Sequence, residues 1–129
     1  MPSSRNLRDT FVVLGRGLEA TPVDVTPSVY EELDRRFDGF RGCALVARYD
    51  FTGDWPTWEM HPAGDEVVVL MAGAAEMVLD RDGRRETVSL TEPGSFVIVP
   101  KGTWHTARIA KPTSMLFVTP GEGTQNKAG

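Results

Sequence analysis

The chain has a single cysteine, Cys43, and only two histidines, His61 and His105, among its 129 residues. One thiol excludes an internal disulfide and any cysteine-rich zinc site. Cys43 stands in GCALVARY, a strand-like run in which a small buried apolar side chain is the expected role. No apolar run approaches the ~18 residues of a membrane span, and the opening MPSSRNLRDTFVVLG lacks the apolar centre of a signal peptide. The cytoplasm is therefore the expected location, with no membrane partner. Positive charge is not in excess: 14 Lys and Arg against 18 Asp and Glu give a formal charge of -4. The basic pairs Arg35-Arg36 and Arg84-Arg85 are short and well separated, so no concentrated basic face for nucleic acid is expected.

What is present is ordinary for a globular domain, 40% hydrophobic and 25% charged, and the length suits one domain with a real core. Phe11 to Leu14 is a short apolar run ended by Gly15, which suggests a peripheral strand. The stretch LEATPVDVTP reads as a loop, its prolines arguing against regular helix. Thr26-Pro27 then has the form of an N-cap followed by proline at the first helical position. Glu31 and Glu32 come early and Arg35 and Arg36 late, which suits the helix dipole, and Val29, Leu33 and Phe37 make one apolar stripe. A single helix of about three turns is expected there.

From Gly42 the pattern changes. CALVARYDF, PTWEM, EVVVLMA, AAEMVLD, ETVSL, SFVIV, HTARIA and SMLFVT are short runs rich in β-branched and aromatic residues. Turn signals separate them, among them Asp82-Gly83, Pro93-Gly94 and Pro100-Lys101-Gly102. Short strands at regular spacing without helical segments predict an antiparallel sandwich or barrel. Asp82-Gly83 between two alternating runs is a tight-hairpin signal. The ending PGEGTQNKAG is polar and glycine-rich and is expected to be a flexible tail over 120–129.

Chemistry concentrates in Gly53 to Gly73, GDWPTWEMHPAGDEVVVLMAG. Residues i and i+2 of a strand share a face, so Glu59 and His61 can converge on one point, with Glu66 following. His105 comes after a Pro-x-Gly turn and shares its face with Thr103, Ala107 and Ile109, as expected of a lined cavity. Taken singly, each fits a plainer role: Glu59 and His61 as the wet half of an edge strand, Glu66 at a turn, His105 as a hydrogen-bonded turn residue. Their joint spacing carries more.

Gly53-x5-Glu59-x-His61-x4-Glu66-x6-Gly73 resembles the first signature of the cupin superfamily, G-x5-HxH-x3,4-E-x6-G, departing from it only at Glu59. Gly94-x5-Pro100-x-Gly102-x2-His105-x3-Ile109 resembles the second, G-x5-PxG-x2-H-x3-N, departing only at Ile109. The resemblance implies an all-β fold, a double-stranded β-helix or cupin jelly-roll barrel over residues 42–119, with the two motifs at its mouth. Residues 1–41, with the one short helix, are then an N-terminal extension packed on the barrel or on a partner subunit. Small cupins commonly pair through sheet edges, which implies a homodimer.

The resemblance also implies a metal site built from Glu59, His61, Glu66 and His105. Residue types match at His61, Glu66 and His105, whereas at Glu59 a carboxylate replaces imidazole. A divalent cation would balance the two carboxylates with both histidines neutral, and an oxygen-rich set of this kind favours Mn(II), Fe(II), Ni(II) or Zn(II) over Cu(I). If Glu59 turns away, two histidines and one carboxylate still hold a metal with open positions, and Glu59 becomes the candidate general base. Ile109 makes its part of the pocket more apolar, and Tyr49, Thr57 and Phe96 are candidate lining residues. Trp104 is the tryptophan placed to stack on a ligand. The functions implied are a metal-dependent enzyme on a small organic molecule, of oxygenase, isomerase or sugar-modifying type, or a non-catalytic metal- or metabolite-sensing cupin.

Overall fold

A computed structural model describes residues 3–129. The chain opens with β1 (Thr10–Leu14), β2 (Ala20–Asp24), α1 (Val29–Arg36), β3 (Ala44–Phe51), β4 (Thr57–Met60) and β5 (Glu66–Ala72). It continues through β6 (Ala75–Arg81), β7 (Arg84–Leu90), β8 (Phe96–Val99), β9 (Trp104–Arg108), β10 (Thr113–Thr119) and β11 (Gln125–Ala128). The strands form a six-stranded sheet ordered β2-β1-β3-β10-β5-β8 and a five-stranded sheet ordered β11-β4-β9-β6-β7. Every pairing is antiparallel. From β3 onward the chain passes from one sheet to the other at every step except the β6–β7 hairpin, which is the jelly-roll arrangement expected from the strand pattern.

Alternation explains how these sequences make two faces. Along β5, Glu66, Val68 and Leu70 are buried, and along β10, Thr113, Met115 and Phe117 are. Facing them from the other sheet are Met77, Leu79 and Ala107. Each Val, Leu, Met or Phe side chain among them stabilises the fold by about 1.5–3 kcal/mol on leaving water, before chain entropy is counted. A second cluster, Phe11, Val13, Val23, Val29, Leu33, Phe40, Leu45 and Ala47, packs α1 against β1, β2 and β3. The N-terminal segment is thus joined to the six-stranded sheet.

Two turns show why particular residues are needed. Asp82 and Gly83 both have positive φ, 53° and 85°, closing the β6–β7 hairpin as its Asp-Gly signal predicts. Gly73 (φ 87°) lies against β10, where an added Cβ would stand 2.5 Å from Pro112 O and 2.5 Å from Thr113 Oγ1. Only glycine fits, because both the backbone angle and the space exclude a side chain.

Three expectations are corrected. The helix is eight residues long and starts at Val29 with Ser28 as N-cap, so Thr26-Pro27 precedes it instead of capping it. LEATPVDVTP is not all loop: Ala20–Asp24 pairs with β1, and Pro22 is tolerated because β2 is an edge strand. The tail is not loose throughout, since Gln125–Ala128 pairs residue by residue with Thr57–Met60. Its polar composition reflects an exposed edge strand, all four residues of which face water.

The sheet edges differ in chemistry. β2 carries Pro22 and Asp24, β7 carries Arg84, Arg85 and Glu86, and β11 carries Lys127. β8, FVIV, has neither charge nor proline, and its outward Phe96 and Ile98 are 59% and 51% exposed. Register extends this surface inward, through Ile98↔Val67, Val67↔Val118, Val118↔Val46 and Val46↔Val12. Among the described residues no helix is long and apolar enough to cross a membrane.

Candidate metal centre

Four strands and two turns bring the sequence candidates together. β4 and β9 pair through Glu59↔His105, which sets those two residues side by side. His61 follows β4, and its carbonyl accepts a hydrogen bond from the Gly102 N–H at 2.9 Å. Asp65 Oδ1 accepts one from the Lys101 N–H at 2.8 Å. The Pro-x-Gly turn of the second motif is thereby clamped to the turn that links His61 and Glu66. Glu66 begins β5, and the neighbouring β10 delivers Thr119, whose hydroxyl donates to Glu66 Oε2 at 2.6 Å.

The side chains meet at short range. His105 Nε2 is 3.0 Å from Glu66 Oε1 and His61 Nε2 is 3.3 Å from Glu66 Oε2. Glu59 Oε1 lies 3.8 Å from His61 Nε2 and 4.0 Å from His105 Nε2. His61, Glu66 and His105 are buried, whereas the Glu59 side chain is 35% exposed, at the mouth. Ligand atoms of Glu59, His61 and His105 all lie within 4.8 Å of one another, a set that can hold a metal ion.

Hydrogen bonds on the far side of each ring fix which nitrogen faces this point. His105 Nδ1 lies 3.1 Å from the Thr103 carbonyl, which can only accept, so Nδ1 carries a proton. His61 Nδ1 lies 2.8 Å from Thr124 Oγ1, and that hydroxyl gives its own proton to the Gly121 carbonyl at 2.9 Å. Thr124 must then accept from His61, so Nδ1 is protonated there too. In its neutral form each ring therefore presents an Nε2 lone pair inward. His61 Nε2, His105 Nε2 and Glu66 Oε1 have no hydrogen-bond partner of suitable geometry among the described residues. Buried polar atoms are seldom left so. A cation at their meeting point, or a further proton on a ring, satisfies them.

The electrostatics of the cluster agree with that account. Burial opposes ionisation of Glu66, yet its contacts with His105 and His61 hold the carboxyl at about 2. Burial likewise opposes a charge on His105, but the Glu66 carboxylate 3.0 Å away, the Thr103 carbonyl and the Glu59 charge outweigh it and raise its pKa. Glu59 moves the other way: burial and the Glu66 charge push it up, against the pull of His105 and His61. One carboxylate is thus firmly ionised and its neighbour is held closer to neutrality.

The cluster lies at one end of a cavity of about 720 Å³. Tyr49 and Thr57 line it, as the sequence suggests, and Phe96 does not, being on the outer face of β8. Ile109 packs in the core between the sheets and is not part of the cavity wall. Trp104 is also absent from the wall; Lys127 Nζ sits 4.2 Å from its ring centroid on the outside of the sheet. The tryptophan at the site is Trp55, in the β3–β4 loop, with its ring centroid 6.2 Å from that of His105. Its loop is fixed by the Trp55 N–H on the Ala107 carbonyl and by Asp54 Oδ1 on the Ile109 N–H. Trp55, Thr119 and Thr124 were not foreseen. Thr119 continues the inward alternation of β10, which could have signalled it, but nothing in the spacing of Trp55 or Thr124 marks either one.

Comparison with known proteins agrees with this architecture. No family model matches the chain, and no curated protein matches it in sequence. Solved structures do. It is similar to a cupin-2 domain protein from Shewanella frigidimarina at 22% identity and TM-score 0.51, covering 60% of this chain and 70% of that one. Hydroquinone 1,2-dioxygenase from Sphingomonas sp. TTNP3 aligns at 18% identity and TM-score 0.51, over 59% of this chain and 58% of that one. A Bacillus subtilis oxalate decarboxylase, an enzyme with Mn(II) centres, aligns at 19% identity and TM-score 0.55, over 66% of this chain and 23% of its own. The chain has the fold of a small cupin.

Proposed function

We propose that the chain is a divalent-metal-binding cupin enzyme acting on a small organic molecule. One observation carries this reading: three buried atoms, His61 Nε2, Glu66 Oε1 and His105 Nε2, converge without partners beside an open cavity. Two imidazoles and a carboxylate are a donor set suited to Mn(II), Fe(II), Ni(II) or Zn(II), with positions left for a substrate oxygen. When bound, such an ion would supply Lewis acidity, polarising a carbonyl or acidifying a hydroxyl. Thr119 and Thr124 orient Glu66 and His61, as outer partners of ligands do.

Glu59 is the residue of this chain positioned to move a proton. It is longer in its contacts and more exposed than Glu66, and its raised pKa brings it nearer the range of a working acid or base. Elemental analysis of protein reconstituted with Mn(II), Fe(II), Ni(II) and Zn(II) tests both assignments. One equivalent in wild type, lost in His105→Ala and kept in Glu59→Gln, is expected. Loss in Glu59→Gln would make Glu59 a ligand, and no metal in wild type would overturn the metal centre. Saturable binding of a metabolite without turnover, with oxygen supplied, would instead favour a sensing role.

The same reading includes a homodimer, formed by β8 of two copies. Its support is the bare apolar edge, the only one of the four without charge or proline, backed by the row from Ile98 to Val12. Light scattering should give twice the chain mass, reduced to the single mass in Ile98→Lys. A monomeric wild type would refute it.

A further inference from the structure

The cavity extends well beyond the metal centre, and its walls are uneven. At one end stand Glu59, His61 and Glu66; leading away from them are Trp55, Phe51, Phe117 and Tyr49, and at the other end α1 contributes Leu33 and Tyr30. The four rings form one continuous surface: Trp55–Phe51 5.5 Å, Trp55–Phe117 5.9 Å, Phe51–Phe117 6.1 Å and Tyr49–Phe117 5.9 Å between centroids. Tyr30 and Tyr49 meet through their hydroxyls. The lining contains no lysine and no arginine, whereas it includes Asp34 and Asp54 besides the two glutamates.

Charge and wall chemistry together restrict what can be held. One divalent ion would be met by Glu59 and Glu66, and the exposed Asp34 and Asp54 add only negative charge at the rim. A dicarboxylate or a phosphorylated sugar would bring more negative charge with no guanidinium or ammonium to meet it, and desolvating such an anion unpaired is costly. A free sugar needs several hydrogen-bond partners, whereas Thr119, Thr124 and Asp54 of the lining are already engaged with Glu66, His61 and the Ile109 N–H, and the wall leading from the cluster is made of rings. A volume of about 720 Å³ suits a molecule of one or two rings. Burial and the charge of Glu59 push the Tyr49 phenol up to about 12, so this ring adds no charge to the wall.

Resting on the metal-centre reading, we propose that the substrate is an uncharged, ring-bearing alcohol or phenol. Its oxygen points to the cluster of Glu59, His61, Glu66 and His105, and its ring lies against Trp55, Phe51, Phe117 and Tyr49.

The experiment measures binding of 4-methylphenol, oxalate and glucose 6-phosphate at pH 7, by calorimetry and tryptophan fluorescence, to both Mn(II)-loaded and metal-free protein. 4-Methylphenol should bind at least tenfold tighter than either anion to both forms, and tighter to the loaded one. Trp55→Leu and, separately, Phe51→Leu should each weaken it about tenfold while Mn(II) stoichiometry and the far-UV spectrum stay as in wild type. Oxalate or glucose 6-phosphate binding as tightly as 4-methylphenol, or wild-type affinity in both variants, would overturn the proposal even with Mn(II) bound. Failure to take up Mn(II) would overturn the metal centre alone, because the ring preference is also measured on metal-free protein.

Discussion

The two ends of this barrel are made by the same strands and behave oppositely. The inward-facing residues run from Glu66 to Leu70 along β5, from His105 to Ala107 along β9, and from Met115 through Phe117 to Thr119 along β10. Within a few residues each strand passes from a closed apolar layer to a cluster of polar side chains, of which Glu66 and His105 are as buried as the core. At the closed end, Leu70, Met77 and Met115 have nothing polar to satisfy, and burial is its own stabilisation. At the open end, burial works against the fold until the inward-facing atoms of His61, Glu66 and His105 are met. The difference teaches that burial marks two kinds of site, and only the hydrogen-bond inventory separates them.

The largest expected effects set the two ends against each other. His105→Ala should abolish stoichiometric metal uptake while the metal-free protein keeps its β-sheet circular dichroism. Leu70→Ala should destabilise by about 2–5 kcal/mol in urea unfolding, as for other large-to-small core changes, and retain one equivalent of metal. If Leu70→Ala lost the metal as completely, the two ends would be one cooperative unit and the distinction would fail.

A smaller effect sharpens what orients the rings. Thr124→Val removes the acceptor of the His61 Nδ1 proton at constant size. Metal affinity should fall about 10–100-fold, as for other outer partners of metal ligands, with thermal stability of the metal-free protein little changed. Unaltered affinity would show that the ring is oriented by packing alone.

The smallest effect concerns pH. An unfolded tyrosine ionises near pH 10, whereas burial and Glu59 push Tyr49 up to about 12. Between roughly pH 10 and 12 the unfolded chain therefore binds fewer protons than the folded one, and stability falls as pH rises. The midpoint of thermal unfolding should decline less steeply over this range in Tyr49→Phe than in wild type. An equal decline in both would place the Tyr49 hydroxyl in water.

Much of this was legible in the sequence, for physical reasons. Alternation in EVVVLMA and SMLFVT announces strands with one buried face, and Asp82-Gly83 announces its own turn, because period and backbone angle are local properties. The spacing of Glu59, His61, Glu66 and His105 was readable since each pair is set by a strand or a tight turn, and the structure brings the four within hydrogen-bonding or near-contact range. Trp55 and Thr124 were not readable. Their places depend on which strands pair across the sheet, and Thr124 lies 63 positions from the ring it touches. Ile109 and Trp104 misled for a related cause: adjacency to His105 in sequence fixes a face of the strand, but not whether that depth of the barrel is core, cavity or outer surface.

The pairing of β11 with β4 has a practical consequence. It brings Gly129 to the Pro56 carbonyl, which its N–H meets at 3.2 Å, and Pro56 belongs to the cavity rim. Any polypeptide continued from that point emerges beside the opening of the site. A polyhistidine affinity handle attached there would hold spare imidazoles next to the cluster and take up the cation being measured. A metal titration of protein tagged at that end would therefore report on the handle as well as on the protein.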